Sequence, residues 1–292
     1  MKAIFITTHT NDIHNLIDAW DLIEPEPAKR IQFNYEKPRV DDWILDIAGQ
    51  TPTDVIFYIG GCDGIGYPLT DTFRKLRRLA PIINMVPDAG DPPWHGVLKK
   101  YRDEECFDLH VGLDGCPDSP VDLVTLTPVN YKFYNNRRIK RDIRCGMSGS
   151  IGGKRDEILD YLGNLCKYRV RTHRKYLGNI TCYSQYAGFL LRCKIVLNTA
   201  WTGSGKYYHV KGRVMEAGWA GAALLECSGS PTKYWYPEDA YFKYSDFEDA
   251  KNIILNASDE EINRRASLLS SITREKYHPA VIYKQILDRI FN

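Results

Sequence analysis

Short apolar runs alternate with amphipathic segments through the first 125 residues of the chain. The runs predict strands, which we place at Lys2 to Thr7, Ile31 to Tyr35, Asp54 to Ile59, Pro81 to Val86, Phe107 to Leu113 and Val121 to Thr125. The segments between them predict helices, which we place from Asn11 or Asp12 to Ile23, Val40 to Ala48 and Thr70 to Leu79. This alternation is typical of a parallel sheet with helices on both faces.

The second half of the chain repeats the alternation. It predicts strands at Ile143 to Met147, Lys194 to Asn198 and Ala222 to Leu225, and a charged edge strand within Lys167 to Tyr183. It predicts one helix at Ser184 to Arg192 and another that ends before Gly221. Three more helices are predicted to begin after Asp246, after Ser258 and at Pro279. The polar, aromatic and basic stretch Thr127 to Asp142 separates the halves. We therefore predict two domains, 1–135 and 136–292.

Composition narrows the class of protein. The 292 residues are 43% hydrophobic, enough for two cores, and the formal net charge is +2, which gives no electrostatic reason to expect a nucleic acid or a membrane as partner. Eight cysteines are scattered without metal-ligand spacing, and the apolar start is too short for a signal peptide or a membrane span. We expect a cytoplasmic protein with reduced thiols. The basic run RRIKR, residues 137–141, is interpreted as a solvated linker face, with a nucleic-acid patch as the alternative.

Polar residues follow several predicted strands of the first half. They are His9, Asp63 in the glycine-rich GGCDGIG, and Asp88, Asp91 and Trp94 in PDAGDPPWHG. Ligand-facing side chains gather at the carboxyl ends of parallel strands, and a carboxylate beside an indole is a common way to hold a sugar. The alternatives are a tight turn at GGCDGIG, an Asx-turn and helix cap before Pro92, and a structural role for His9.

A glycine-rich turn follows the first strand of the second half. Gly149 and Ser150 precede a helix, and Arg155 lies at its start. Strand, glycine loop and helix in this order aim backbone N–H groups at one point, so the segment predicts an anion site. A common strand-to-helix turn without a ligand is the alternative.

Basic residues precede a single acid in SGKYYHVKGRVMEAGWAGAALLE. Arg213 and Glu216 are three apart and share a helix face near its N-terminus. Lys206, Lys211 and Arg213 are suited to neutralising a diphosphate, and Glu216 to accepting two ribose hydroxyls. The alternative is an amphipathic helix with a solvated charge cluster.

The segment Tyr183 to Phe291 resembles the C-terminal half of GT-B glycosyltransferases, in the CgeB-like branch near the group 1 (GT4-like) families. The matching pieces are LLRCKIVLN, KGRVMEAGWAGAALLE, YWYPEDAYFKYSD and a helical tail containing KYHP. The resemblance implies that Glu216 holds the donor ribose. The family's partner acid eight residues earlier is Tyr208 in this chain. Gly149, Ser150 and Arg155 match the family's Gly-Ser turn and arginine.

This resemblance implies an α/β protein of GT-B type, with two Rossmann-like domains whose parallel sheets face a central cleft and a terminal helix, about 279–292, that crosses back to the first domain. It implies a glycosyltransferase that moves a sugar from a nucleoside-diphosphate sugar of UDP or GDP type to an acceptor hydroxyl, with retention of the anomeric configuration and no cofactor. We expect the reaction to be metal-independent, because fixed cations and a helix N-terminus can stabilise the charge on the leaving diphosphate. Asp91 and His9 are then the catalytic candidates. Asp63, Asp88, Trp94 and Tyr208 are candidates for acceptor or sugar contact. The alternatives are transfer to a modified DNA base, and a non-catalytic nucleotide- or glycan-binding protein, which Tyr208 in place of an acid keeps open.

Overall fold

A computed structural model describes residues 1–8, 14–37, 40–60, 64–135, 139–149, 152–170, 182–202 and 205–292. The chain divides into two compact units. Unit 1 comprises Met1–Asn130 together with Pro279–Asn292, and unit 2 comprises Tyr131–His278.

Unit 1 is built on a six-stranded sheet in the order β2-β1-β3-β4-β5-β6, in which every neighbouring pair is parallel. Its strands are β1 (Ala3–Thr8), β2 (Lys29–Phe33), β3 (Val55–Ile59), β4 (Ile82–Val86), β5 (Leu109–Gly112) and β6 (Leu123–Val124). Its helices are α1 (His14–Trp20), α2 (Asp41–Gln50), α3 (Thr70–Arg77), α4 (His95–Asp103) and, from the chain terminus, α10 (Pro279–Phe291). The predicted alternation of strands and helices is confirmed.

The terminal helix is part of the core of unit 1. Phe5 stacks on Phe57 with ring centroids 4.6 Å apart, and Trp20 meets Tyr283 of α10 edge-on at 5.0 Å. The hydroxyl of Tyr283 also donates a hydrogen bond of 2.6 Å to the carbonyl oxygen of Leu16. Such aromatic pairs add stability beyond their buried area, so α10 is firmly held in unit 1.

Unit 2 contains a five-stranded parallel sheet in the order β11-β10-β9-β7-β8. Its strands are β7 (Ile143–Gly149), β8 (Lys167–Val170), β9 (Cys193–Leu197), β10 (Ala223–Cys227) and β11 (Phe242–Tyr244). Its helices are α5 (Lys154–Leu162), α6 (Tyr183–Arg192), α7 (Gly212–Ala220), α8 (Phe247–Asn256) and α9 (Asp259–Lys276). The predicted edge strand is confirmed as β8, and residues 171–181 of that segment lie outside the described residues.

Local sequence signals set several helix ends in unit 2. The side chain of Asp246 accepts from the backbone N–H of Asp249 at the start of α8, and Ser258 accepts from Glu261 at the start of α9. Gly221 ends α7 in the left-handed conformation, with φ of +65°. These caps were predicted from the sequence because a cap depends on residues only three positions apart.

The helix α4 was not predicted from the sequence. The proline-rich loop after β4 forms a short 3₁₀ helix, Pro92–Trp94, that runs directly into α4. The two prolines favoured the prediction of a loop here, although proline is also common in the first turn of a helix. No helix in the described part of the chain is both long enough and apolar enough to cross a membrane.

Candidate functional site

The carboxyl ends of β7 and β9 lie where the strand order of unit 2 reverses. From β7 the chain proceeds to β8 at one edge, and then passes to β9, β10 and β11 on the other side of β7. Loops diverge at such a reversal, and open α/β sheets bind their ligands in the resulting crevice. Gly149, the last residue of β7, and Asn198, which follows β9, flank it.

Arg213, in the first turn of α7, connects the two strand ends. The residue is only 8% exposed. Its Nη1 donates to Oδ1 of Asn198 at 2.7 Å, and its Nη2 donates to the carbonyl oxygen of Ser148. Both of these acceptors are neutral, so they orient the guanidinium without cancelling its charge.

Asn198 is in turn held by Glu226, a fully buried residue of β10. The Asn198 amide donates to Glu226 Oε2 at 2.8 Å, and the same carboxylate accepts from the backbone N–H of Cys227 at 3.0 Å and from the hydroxyl of Thr232 at 3.1 Å. Burial raises the pKa of Glu226. The network fixes which way the Asn198 amide points, and so fixes Arg213. Neither Asn198 nor Glu226 was predicted to have a role, although both are polar residues at the ends of buried strands.

Arg155 brings a second guanidinium to the same place. A Cβ atom added to Gly149 would lie 2.7 Å from Nη2 of Arg213 and 3.3 Å from Nη1 of Arg155. Burial, followed by the charge of Arg213, lowers the pKa of Arg155 to about 10. Gly149 is thus required for close approach, and two like charges meet at the end of β7. An anion bound there would relieve their repulsion.

Glu216 lies among tyrosine hydroxyls. Its Oε1 accepts from Tyr183 at 3.0 Å, its Oε2 accepts from Tyr186, and the Tyr183 hydroxyl also meets that of Tyr134 at 2.8 Å. The residue is 4% exposed. The sequence suggested a solvated charge cluster as the alternative for this helix face, and the burial of Glu216 and Arg213 shows that alternative to be wrong. The ribose role of Glu216 stays a prediction.

The other predicted cations lie in the chain between β9 and α7. Lys211 occupies the N-cap position of α7 and is half-buried, whereas Lys206 is exposed. Their diphosphate roles stay predictions.

Tyr208 packs against Trp201. The rings are 4.1 Å apart at an interplanar angle of 34°, and the two residues form an antiparallel bridge. A Cβ atom added to Gly229 would lie 2.5 Å from the Tyr208 ring, so this glycine makes room for the pair. The position that carries an acid in the resembling family therefore supplies a fixed aromatic face here.

These rings line a cavity of about 340 Å³, which we call the aromatic cavity. It lies at the carboxyl ends of β9, β10 and β11 and is lined by Lys154, Ile158, Thr199, Trp201, Tyr208, Cys227, Ser228, Tyr244, Ser245, Asp246 and Phe247. The Tyr244 hydroxyl donates to the carbonyl oxygen of Asn198 at 3.0 Å. Asn198 thus connects this cavity to Arg213. Aromatic faces with a few polar groups suit a polar ring as ligand.

In unit 1, the predicted aspartate loop follows β4. Asp91 is 4% exposed and precedes the 3₁₀ helix, and its carbonyl oxygen accepts from the backbone N–H of Trp94 at 2.9 Å. The backbone N–H of Asp91 donates to the carbonyl oxygen of Asp88 at 3.0 Å. Asp91 occupies the predicted helix-cap position, but its side chain makes no cap hydrogen bond. Asp88 and Trp94 are half-buried.

A further acid, Asp114, lies next to this loop and was not predicted to have a role. Asp114, which follows β5, is 1% exposed and accepts from the backbone N–H of Gly90 at 2.6 Å and of Cys116 at 3.2 Å. Burial raises its pKa to about 6, and the charge of Asp88 adds to the rise. Asp114 therefore braces the aspartate loop. Its position just after a buried strand was the available signal.

Three of the predicted site residues, His9, Asp63 and Ser150, lie outside the described residues. Within the described ranges, no group of three or more His, Cys, Asp or Glu side chains is arranged to hold a metal ion.

No protein-family model matches the sequence, and no curated protein matches it. Solved structures do resemble it. Anabaena Alr3699/HepE, in complex with UDP and glucose, has a TM-score of 0.64 at 11% identity, covering 99% of this chain and 98% of that one.

Two further solved structures resemble the chain over its whole length. An alpha-glucosyltransferase in complex with UDP-glucose and DNA containing an abasic site has a TM-score of 0.63 at 9% identity, and each chain is covered completely, at 100%. OtsA, in an apo structure, has a TM-score of 0.60 at 10% identity, covering 100% of this chain and 99% of that one. These likenesses and the two parallel sheets show that the chain has the GT-B fold of glycosyltransferases.

Proposed function

We propose that this protein is a glycosyltransferase that moves a sugar from a nucleoside-diphosphate sugar to an acceptor hydroxyl. The observation that carries the proposal is the pair of guanidinium groups, Arg155 and Arg213, that meets at Gly149. The pair lies at the topological switch point of a GT-B sheet, where a diphosphate has both a crevice and cations. Binding of UDP by the structurally similar HepE supports a UDP-type donor.

The two arginines would act on the leaving group. When the bond from the anomeric carbon to the diphosphate oxygen breaks, negative charge builds on the diphosphate. Fixed guanidinium groups in a dry site stabilise such charge, and their planar forks match phosphate oxygens. The start of α5 adds to this field, because Gly152 and Gly153, with φ of +138° and +60°, lead into its N-terminus. This charge neutralisation is our reason for proposing a metal-independent reaction.

Glu216 would bind the ribose. A carboxylate oxygen has two lone pairs, so each oxygen of Glu216 can hold a tyrosine hydroxyl and still accept from a ribose hydroxyl. Tyr183 and Tyr186 would then keep the carboxylate in place.

The aromatic cavity would receive the donor sugar. Trp201 and Tyr208 offer ring faces for the apolar side of a sugar, and Ser228 and Ser245 offer hydroxyls for its edges. Asn198 connects this cavity to Arg213, which would place the sugar next to the diphosphate.

In the transfer itself, the acceptor oxygen forms a bond to the anomeric carbon, the carbon–diphosphate bond breaks, and the hydroxyl proton is released. We propose retention of the anomeric configuration and membership of the CgeB-like branch, both supported by the resemblance of residues 183–291.

DNA is the second candidate acceptor. It is supported by the full-length likeness to the alpha-glucosyltransferase whose structure contains DNA. Retention of the protein on DNA that weakens steeply with salt, together with glucosylation of a modified base, would favour it. Turnover on free glycans without retention on DNA would exclude it.

A thermal-shift screen tests the proposal. The purified protein is mixed with UDP, GDP, ADP, CMP and their sugar conjugates, with and without a chelator. We expect one nucleoside diphosphate and its sugar to raise the midpoint, because a ligand that binds only the folded state stabilises it by mass action, and we expect the chelator to have no effect. No shift with any nucleotide would contradict the proposal.

A further inference from the structure

A second cavity lies at the amino ends of the strands of the unit 2 sheet, opposite the carboxyl ends that form the candidate donor site. Its volume is about 490 Å³, and we call it the amino-edge cavity. Its lining residues precede β7, β9 and β10 or belong to α7 and α9: Tyr134, Ile139, Arg141, Leu191, Trp219, Ala220, Gly221, Ala266, Ser267, Ser270, Ser271 and Arg274. No aspartate or glutamate is among them, and none of them was assigned a role in donor binding.

Arg141 supplies the first cation. Its two terminal nitrogens donate to the carbonyl oxygens of Cys193 and Ala220, each at 2.5 Å. Burial lowers its pKa, and within the described part of the chain no acidic side chain pairs with it. A half-buried cation whose acceptors among the described residues are neutral carbonyl oxygens keeps a charge that an anion would stabilise. The interpretation of RRIKR as a solvated linker face is therefore wrong for Arg141.

Arg274 supplies the second cation. Its guanidinium lies over the indole of Trp219 at 4.8 Å, and it donates to the Trp219 carbonyl oxygen at 3.0 Å and to the hydroxyl of Ser270 at 3.1 Å. Trp219 is 3% exposed, and its indole N–H has no hydrogen-bond partner in the described structure. The indole is packed between the Arg274 guanidinium and the ring of Tyr131, 4.9 Å away, and its N–H is itself buried.

Hydroxyl donors line one wall. Ser267, Ser270, Ser271 and Arg274 are spaced at i, i+3, i+4 and i+7 along α9, so they share one helix face. Hydroxyl and guanidinium donors on one face, in a cavity also lined by the apolar residues Ile139 and Leu191, form a surface for an oxyanion attached to an organic group.

We propose that the amino-edge cavity binds a small organic molecule carrying an oxyanion, a phosphate ester or a carboxylate, at a site separate from the donor site. The two arginines and the serines would hold the oxyanion, and the apolar lining residues Ile139 and Leu191 would contact the organic part. The competing explanation is that Arg141 and Arg274 only cap the carboxyl end of α7, where their charges also complement the helix dipole.

The test uses inorganic phosphate and citrate as probes, with chloride at matched ionic strength as reference. Binding is measured by calorimetry in the Arg155→Ala background, so that the proposed diphosphate site does not contribute. Ser271→Asp adds a negative charge to the cavity wall and leaves both arginines in place. Asn263→Asp is the control, because it adds the same charge to an exposed position of α9 outside the cavity.

We expect at least one probe to bind. Ser271→Asp should weaken the affinity for that probe about tenfold or more, because it places a like charge close to the bound anion. Asn263→Asp should change the affinity by less than about twofold. Binding of phosphate alone would identify a phosphate ester, and binding of citrate alone a carboxylate. No binding by either probe, or equal binding to both variants, would overturn the proposal in favour of helix capping. UDP binding by the otherwise unmodified protein, measured in parallel, reports separately on the donor site.

Discussion

Arg155 and Arg213 each place a guanidinium nitrogen within 3.3 Å of the space that a side chain on Gly149 would occupy. Arg213 is fixed there by Asn198, and the charge of Arg213 contributes to the lowered pKa of Arg155. Two cations held together at the end of a strand have an energetic cost that a diphosphate would offset.

Substitution Gly149→Ala should disrupt the arginine pair. The added methyl group would lie 2.7 Å from Nη2 of Arg213 and would displace that guanidinium. We expect UDP affinity to fall at least about tenfold, the loss of one charged hydrogen bond. Gly188→Ala in α6 is the matched control, because no atom beyond its chain neighbours and its own helix backbone lies within 4 Å of the added Cβ. Equal UDP affinity in both variants, measured by calorimetry, would remove Gly149 from the site.

Local sequence signals predicted much of the fold. Asp246, Ser258, Gly221 and Pro279 mark helix ends in the sequence, and the structure places the ends there. Each of these signals depends on a few neighbouring residues. The helix α4 was missed because its start lies in a proline-rich loop.

The site was harder to predict because its contacts join distant parts of the chain. Arg213 was a candidate from the sequence, but its partner Ser148 is 65 residues away. Glu216 was predicted to face a ligand, and nothing in its local spacing indicated that Tyr183 and Tyr186 would reach both its oxygens. Such contacts depend on how helices pack against the sheet, which one sequence alone does not specify.

Substitution Glu216→Gln should weaken binding of uridine and UDP equally. The amide replaces one acceptor oxygen with a donor, so a tyrosine hydroxyl and a ribose hydroxyl both lose a partner, at a cost of about 1–3 kcal/mol. Tyr134→Phe is the control, because its hydroxyl contacts Tyr183 rather than Glu216. Reduced thermal stability with unchanged uridine affinity would show that Glu216 serves the fold alone.

Substitution Tyr208→Ala should weaken binding of the donor sugar more than binding of the nucleotide. Removing one ring of the aromatic cavity should cost UDP-glucose about 0.5–1.5 kcal/mol of binding free energy and leave UDP unchanged. Tyr207→Ala is the control, since that neighbour is 45% exposed and does not line the cavity. An equal loss for UDP and UDP-glucose in calorimetry would place the nucleotide, not the sugar, in this cavity.

Two buried groups of unit 1 should give opposite pH dependences of stability. Burial lowers the pKa of His110 to about 4 from a usual 6.5, so the folded state binds its proton less tightly and stability falls as pH drops from 6.5 to 4. Burial raises the pKa of Asp114 to about 6 from a usual 3.8, so its contribution is present below pH 3.8 and is lost as pH rises to 6. The full effect of each group is up to about 3 kcal/mol, and the two oppose each other between pH 4 and pH 6.

Single variants should separate these effects. In Asp114→Asn, the free energy of unfolding should fall more steeply from pH 6.5 to 4 than in the unmodified protein, because only His110 remains. In His110→Gln, it should instead rise over that interval. Urea denaturation at half-unit pH steps measures both slopes. The same dependence of the unfolding free energy on pH in all three proteins would show that burial shifts neither pKa.

The most direct test of the account is calorimetric titration of UDP and uridine into the unmodified protein, Arg155→Ala and Arg264→Ala. Arg264 is the control because it is an exposed arginine of unit 2 paired with Glu261. We predict that Arg155→Ala weakens UDP binding by about 1.5–3 kcal/mol, as expected for a lost charged hydrogen bond. The affinity of Arg155→Ala for uridine should stay within about twofold of that of the unmodified protein. Arg264→Ala should change neither affinity. Equal affinity of Arg155→Ala and the unmodified protein for UDP, or no UDP binding at all, would contradict a donor diphosphate site at the arginine pair.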